Sequence, residues 1–112
     1  DVSEFEARTL SALGMPSEVV MRHRTPHLSH IFSGDGYAAG YYSYLWADTL
    51  VADVWEAFME SGNVFDKTLA QRLHAHVFSA GNQQEPDQAY RNFRGRDPDV
   101  NALLRKRGFA ST

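Results

Sequence analysis

One stretch of this sequence limits its possible folds more than any other. Residues 37–60 contain no proline, and their apolar and polar side chains recur at helical spacing throughout. Because this pattern repeats about every 3.6 residues, it predicts one α-helix of about six turns, ended by the following Gly62-Asn63 pair. In its second half a polar stripe holds Asp53, Glu56 and Glu60, so we expect the opposite, apolar side to pack on a core.

Capping and helix-breaking residues predict shorter helices on both sides of the long one. Ser3 and Glu6 form a capping-box pattern, Gly14 can end the helix that they begin, and Asp66 and Asp97 can each cap a later helix. The predicted shorter helices cover residues 3–13, 17–22, 67–79, 86–93 and 97–107, and residues 25–36 are predicted to be a loop. The expected fold class is therefore all-α, with one long central helix and several shorter ones in a single helical domain, residues 1–112.

Charge and composition exclude several classes of partner. The 11 basic and 14 acidic residues give a net charge of −3, which argues against nucleic acid, and no apolar run is long enough to predict a membrane span. Because there is no cysteine, disulfides and thiolate metal ligands are excluded, and we expect a cytoplasmic location. Six basic residues lie between Arg91 and Arg107, whereas residues 37–61 contain none, so the basic end could pair with the acidic helix. We expect a solvated or intramolecular role for these basic residues rather than a phosphate-binding one.

Three tyrosines form the first candidate site. Tyr37, Tyr41 and Tyr44 stand at positions i, i+4 and i+7, which would place three phenols on one helix face after a glycine-rich turn. Aromatic residues at this spacing often belong to a core, but a buried phenol needs a hydrogen-bond partner. The alternative is a groove in which these phenols donate hydrogen bonds to a substrate carbonyl.

The histidines do not predict a metal site. His23, His27 and His30 have spacings that suit zinc on a continuous helix, but Pro26 interrupts that helix. His74 and His76 are two residues apart and would point to different sides of a helix. We therefore expect no metal ligand within this chain.

A longer motif brings in a family resemblance. Residues 30–46 read HIFSGDGYAAGYYSYLW, which resembles a signature of the thimet oligopeptidase family of zinc metallopeptidases. The flanking runs resemble its bacterial peptidyl-dipeptidase, or dipeptidyl carboxypeptidase, branch. These runs are MRHR at 21–24, FRGRDP at 93–98, ALLR at 102–105 and RGF at 107–109.

The resemblance implies a large, mostly helical enzyme that releases dipeptides from peptide C-termini. In that family two histidines of an H-E-x-x-H helix and a distant glutamate hold the zinc, and this sequence contains no such motif. The chain, which begins with Asp1, is therefore interpreted as a C-terminal fragment of the catalytic domain, inactive alone. Zinc is expected in the parent enzyme and no cofactor in the fragment. The expected partners are a peptide substrate and the remainder of the parent chain, and the fragment could also self-associate.

The resemblance also implies roles for individual residues. Tyr44 and Tyr37 would be catalytic and contact the substrate, with Tyr44 stabilising the oxyanion. The implied substrate-binding residues are His30, Tyr37, Tyr41, Tyr44, Gly34 and Gly36. The two glycines would form a mobile turn, which Asp35 makes longer than the family's usual form.

The alternative function is a stand-alone helical interaction module whose tyrosine face binds peptides without catalysis.

Overall fold

The described part of the chain, residues 1–109 of a computed structural model, is helical and contains no β-strand. This confirms the predicted all-α fold class. The α-helices are α1 (Val2–Ala12), α2 (Ser29–Phe32), α3 (Ser43–Glu60), α4 (Lys67–Leu73), α5 (Pro86–Arg94) and α6 (Val100–Lys106). A 3-10 helix spans Thr25–His27, and a π-helix spans His74–Phe78. No helix among these residues is both long enough and apolar enough to cross a membrane.

The chain divides into two compact units. The first unit covers Asp1–Tyr41, and the second begins at Tyr42. In the first unit α1 is capped by Asp1, whose carboxylate accepts a hydrogen bond from the Ser3 backbone N–H at 2.9 Å. The predicted cap, Ser3, instead lies inside the helix. Gly14, with φ of +77°, ends α1 as predicted, in a turn where Met15 N–H donates to Leu10 O.

The rest of the first unit departs from the sequence prediction. Residues 17–22 form turns and irregular backbone instead of the predicted helix, because Pro16 and Pro26 leave too short a stretch for a helix to nucleate. The predicted loop at 25–36 instead holds the 3-10 helix and α2.

The long helix begins six residues later than predicted. Residues 36–42 form successive turns, with hydrogen bonds from Ala38 N–H to Asp35 O and from Gly40 N–H to Tyr37 O. Gly40 lies in the first turn of the predicted helix and costs about 1 kcal/mol there relative to alanine, which favours these turns over a regular helix. The predicted six-turn helix from Tyr37 is therefore wrong, and α3 has 18 residues from Ser43.

The second unit has a small core on one side of α3. Ala52 of α3 packs with Ala102 and Leu103 of α6, while Tyr90 and Phe93 of α5 are buried with ring centroids 6.3 Å apart. Asp66 caps α4 as predicted and accepts a hydrogen bond from Leu69 N–H at 2.9 Å. The predicted cap of the last helix is wrong by two residues, because Asp99 rather than Asp97 accepts from Asn101 N–H.

The packed side of α3 is the reverse of the prediction. Asp53, which belongs to the predicted solvent-facing polar stripe, is fully buried, whereas Val51, Trp55 and Met59 on the predicted core side are exposed. The physical reason is that the acidic stripe is neutralised by arginines from α5, α6 and the segment between them. Charged side chains can be buried when they are paired in this way.

Candidate functional site

The predicted substrate-binding residues of the first unit lie together. The ring centroids of His30, Tyr37 and Tyr41 are 6.0, 6.2 and 5.9 Å apart, and the two tyrosines meet edge to face. The histidine comes from α2, and the tyrosines come from the turns at 36–42. All three side chains are exposed in the described structure. They form an open triad of rings, hereafter the aromatic triad.

The glycine-rich turn that precedes and carries the two tyrosines of the triad has one position where two backbone segments lie close together. A Cβ atom at Gly40 would lie 3.3 Å from Gly36 O, so this turn is tightest at position 40. A Cβ atom added at Gly34 or Gly36 would have no neighbouring atom within 4 Å, and neither glycine has a positive φ. Backbone geometry therefore does not require glycine at 34 and 36, and their role as a mobile turn stays a prediction.

Tyr44 lies in the first turn of α3, in the second unit. Because Tyr37 and Tyr41 precede the helix, the predicted single helix face of three phenols does not form. Tyr44 is about half exposed, and the neighbouring Tyr42, at the helix N-cap, is more exposed, at 71%. The catalytic role of Tyr44 and Tyr37 stays a prediction.

A network of ion pairs holds α3 against the other helices of its unit. Arg105 makes two hydrogen bonds to Glu56, at 2.6 and 2.7 Å, and Arg94 makes two to Glu60, at 2.8 and 2.6 Å. Such bidentate pairs are directional and restrict the orientation of both partners. Asp48 accepts from Lys106 and Arg107 as well. The predicted pairing of the basic end with the acidic helix is confirmed.

Asp53 is the centre of this network. Its carboxylate accepts hydrogen bonds from Arg96 at 2.7 and 3.1 Å and from the Tyr90 hydroxyl, and Arg94 Nε lies 3.5 Å away. Burial would raise the pKa of Asp53, but the hydrogen bonds from Arg96 and Tyr90 and the neighbouring charges outweigh it, so this pKa lies below its usual value. Burial and the adjacent Asp53 raise the pKa of Tyr90.

Sequence analysis missed the individual partners of Asp53. Its position in the acidic stripe and the excess of arginines after residue 90 were visible. Which arginine reaches which carboxylate depends on the crossing of α3 with α5 and α6, and helical spacing does not encode that crossing.

The described residues do not fit a metal site. Within residues 1–109 no group of three or more histidine, cysteine, aspartate or glutamate side chains could hold a metal ion. In particular, the imidazole of His30 lies beside the rings of Tyr37 and Tyr41, and carboxylates of α3 form ion pairs with arginines.

Comparison with known proteins decides the family. Residues 2–109 match the sequence profile of peptidase family M3. The chain belongs to this family. Its relatives in the M3 family include oligopeptidase A of Escherichia coli K12, which is 48% identical over 86 residues, or 76% of this chain. Dipeptidyl carboxypeptidase of the same organism is 38% identical over 109 residues, or 96% of this chain.

These matches cover a small part of each M3 relative. The aligned residues amount to 12% of oligopeptidase A and 16% of dipeptidyl carboxypeptidase. A plant relative, a probable cytosolic oligopeptidase A of Arabidopsis thaliana, is 43% identical over 83 residues, which are 71% of this chain and 12% of that protein. The activity of a whole M3 peptidase therefore comes to this chain only as a proposal.

Proposed function

We propose that this chain is the substrate-binding segment of a zinc peptidyl-dipeptidase, an M3 peptidase that releases dipeptides from peptide C-termini. The observation that carries the proposal is the aromatic triad, whose three residues belong to the motif at 30–46. Similarity to dipeptidyl carboxypeptidase over 96% of the chain supports the choice of activity. A cytoplasmic location is part of the same proposal.

The triad suits the binding of an extended peptide. A peptide backbone offers carbonyl oxygens and N–H groups at regular intervals, and a phenol can donate to the first and accept from the second. The imidazole of His30 can do the same. Because all three residues are exposed and none belongs to a packed core, a ligand can contact the rings without unfolding the unit.

Tyr44 is proposed to act on the carbonyl that reacts. Negative charge grows on the carbonyl oxygen as the carbon becomes tetrahedral, and a phenol held nearby donates a hydrogen bond that strengthens with that charge. Zinc would supply an activated water in such an enzyme. The described residues do not fit its ligands, so we assign the zinc site to the remainder of the peptidase.

A second activity is supported by a specific observation. Oligopeptidase A shows the higher identity, 48%, although over fewer residues of this chain. An oligopeptidase that cuts internal bonds is therefore the second candidate function. A helical peptide-binding module without catalysis is the third hypothesis.

Peptides with free and amidated C-termini distinguish these functions. The full-length peptidase that contains this segment should release dipeptides from free C-termini and fail on the matched amides, as read by mass spectrometry. Equal cleavage of internal bonds in both peptide sets would favour the oligopeptidase activity instead. The 112-residue chain alone should cleave neither set, and zinc-dependent dipeptide release by it would contradict the proposal. Peptide binding without cleavage by the full-length protein would favour the non-catalytic module.

A further inference from the structure

The exposed side of α3 is a large apolar surface with nothing over it in the described structure. Val51, Trp55 and Met59 are 57%, 52% and 55% exposed, although all three lie in the middle or second half of the helix. Beside them is a shallow cleft of about 260 Å³. Its lining residues are all apolar: Val51, Val54, Trp55, Phe58 and Val64. We call this surface the outer face of α3.

The opposite side of α3 is already packed and ion-paired within its own unit. It carries the buried Ala52 and Asp53 and the acidic residues that pair with arginines of its own unit. The helix therefore has a packed inner side and an apolar outer side. A helix that presents apolar side chains away from its packed side is typical of the interior of a larger protein. Contiguous apolar patches on a soluble protein usually mark a surface that another element covers.

We propose that an apolar helix from the remainder of the peptidase chain packs on the outer face of α3. The relatives are about six to eight times longer than the aligned segment, so a full-length M3 protein has ample chain to cover it. The acidic groups of α3 are matched by arginines within the unit, which leaves an apolar contact as the complementary chemistry for this face. The proposal rests on the chain being one segment of a longer peptidase.

The spacing of the outer-face residues favours a helix as the occupant. Val51, Trp55 and Met59 follow one another at i+4 steps and form a ridge along α3, while Val54 and Phe58 form the ridge beside it. Parallel ridges of this kind accept the ridge of a second helix in the groove between them. The two main alternatives are a second copy of this chain and open solvent.

Oxidation footprinting of the full-length peptidase tests the proposal directly. Hydroxyl radicals react readily with tryptophan and methionine, and the rate for each side chain is compared between the native and the unfolded protein. We expect Trp55 and Met59 to be protected as strongly as the buried Phe93. Oxidation of Trp55 and Met59 at their unfolded rates would overturn the proposal. Protection that disappears on dilution would also overturn it, because it would identify a second copy as the occupant.

A matched pair of valine variants gives a second measurement. Val51 on the outer face and Val100 at the start of α6 are exposed to similar extents, 57% and 64%. Val51→Thr should lower the Tm of the full-length peptidase, because it buries a hydroxyl against an apolar helix, whereas Val100→Thr should leave it closer to the parent value. Equal Tm losses in the two variants, or none at Val51, would contradict the proposal. Neither readout requires dipeptide release, so a failure of the proposed activity remains distinguishable.

Discussion

The two units of this chain differ in how tightly they are packed. None of residues 1–41 is buried, and the side chain of Arg24 contacts those of Ser3 and Glu6 at the surface of this unit. The second unit has a buried core around Phe93 and a dense set of arginine–carboxylate pairs. The aromatic triad lies in the loosely packed unit, and Tyr44 lies at the first turn of the well-packed one.

This difference indicates which unit is the more stable and which can more easily change conformation. Local stability in proteins follows buried apolar contact and protected hydrogen bonds, and ligand-binding segments are drawn from the less stable parts. We therefore propose that the first unit adjusts around a substrate while the second unit holds α3 in place. The following predictions test this division, starting with the largest expected effect.

Removal of the Asp53 charge should cost more than any comparable change in the first unit. Asp53→Asn leaves Arg96 and Arg94 without their buried carboxylate, and breaking a buried pair costs about 3–5 kcal/mol. We expect the lower end of that range, because Arg96 is partly exposed to solvent. Urea unfolding of the chain, followed by circular dichroism of α-helix content, measures this loss.

Glu6→Gln is the matched control in the first unit. Glu6 pairs with Arg24 at 3.5 Å, and the Arg24 side chain is 45% exposed, so loss of this ion pair should cost about 1 kcal/mol or less. Equal losses for Glu6→Gln and Asp53→Asn would show that the two units do not differ as described.

Loss of the Tyr44 hydroxyl should be the largest effect on catalysis. In the full-length peptidase, Tyr44→Phe keeps the ring and would remove the proposed oxyanion donor, and loss of one such donor typically costs about 10²–10³ in kcat. Because the hydrogen bond strengthens only in the transition state, KM should change little. Steady-state kinetics on a dipeptide-releasing substrate measures both constants.

Tyr42→Phe is the internal control for Tyr44→Phe. Tyr42 is the more exposed residue at the N-cap of the same helix, so its variant should stay within a few-fold of the parent kcat. If the two variants have the same kcat, the oxyanion role is wrong and Tyr44 is only structural.

Acid should destabilise the second unit selectively. Burial opposes ionisation of Asp53, but its partners lower its pKa in the folded state, and Arg94 lowers that of Glu60. A carboxylate whose folded pKa lies below its unfolded value of about 4 contributes stability above that value and loses it as pH falls through the folded pKa. The unfolding free energy should therefore be flat near neutral pH and fall below about pH 4.

Asp53→Asn distinguishes this carboxylate from the others in the acid experiment. The variant lacks the titrating group, so its unfolding free energy should fall less steeply with acid than that of the parent chain. Parallel pH profiles for the two proteins would contradict the assigned role of Asp53.

The sequence predicts some parts of this structure well and others poorly, for physical reasons. Local signals such as the Asp66 cap and the Gly14 stop are confirmed, because they depend on residues only a few positions apart. The predicted start of α3 is wrong because Gly40 weakens the helix locally, and the predicted direction of its packed side is wrong because that direction depends on long-range partners such as Arg96. Periodicity shows that α3 has two faces, but which face is covered depends on the rest of the fold. Of the predicted site, His30, Tyr37 and Tyr41 lie together, although the helix expected to align the tyrosines does not extend over them.

The smallest expected effect concerns the glycine turn of the first unit. Gly36 has open space at its Cβ position and no positive φ, so Gly36→Ala should stabilise the turn by about 0.4–1 kcal/mol through the unfolded state. At Gly40 the added methyl meets Gly36 O at 3.3 Å, so Gly40→Ala should gain less or lose stability. Hydrogen exchange of the Ala38 and Gly40 amides, which donate within this turn, reports on both variants. If the turn must move for the substrate to bind, Gly36→Ala should lower kcat/KM of the full-length peptidase while it slows this exchange. Slower exchange with unchanged kcat/KM would show that the turn positions the triad without having to move.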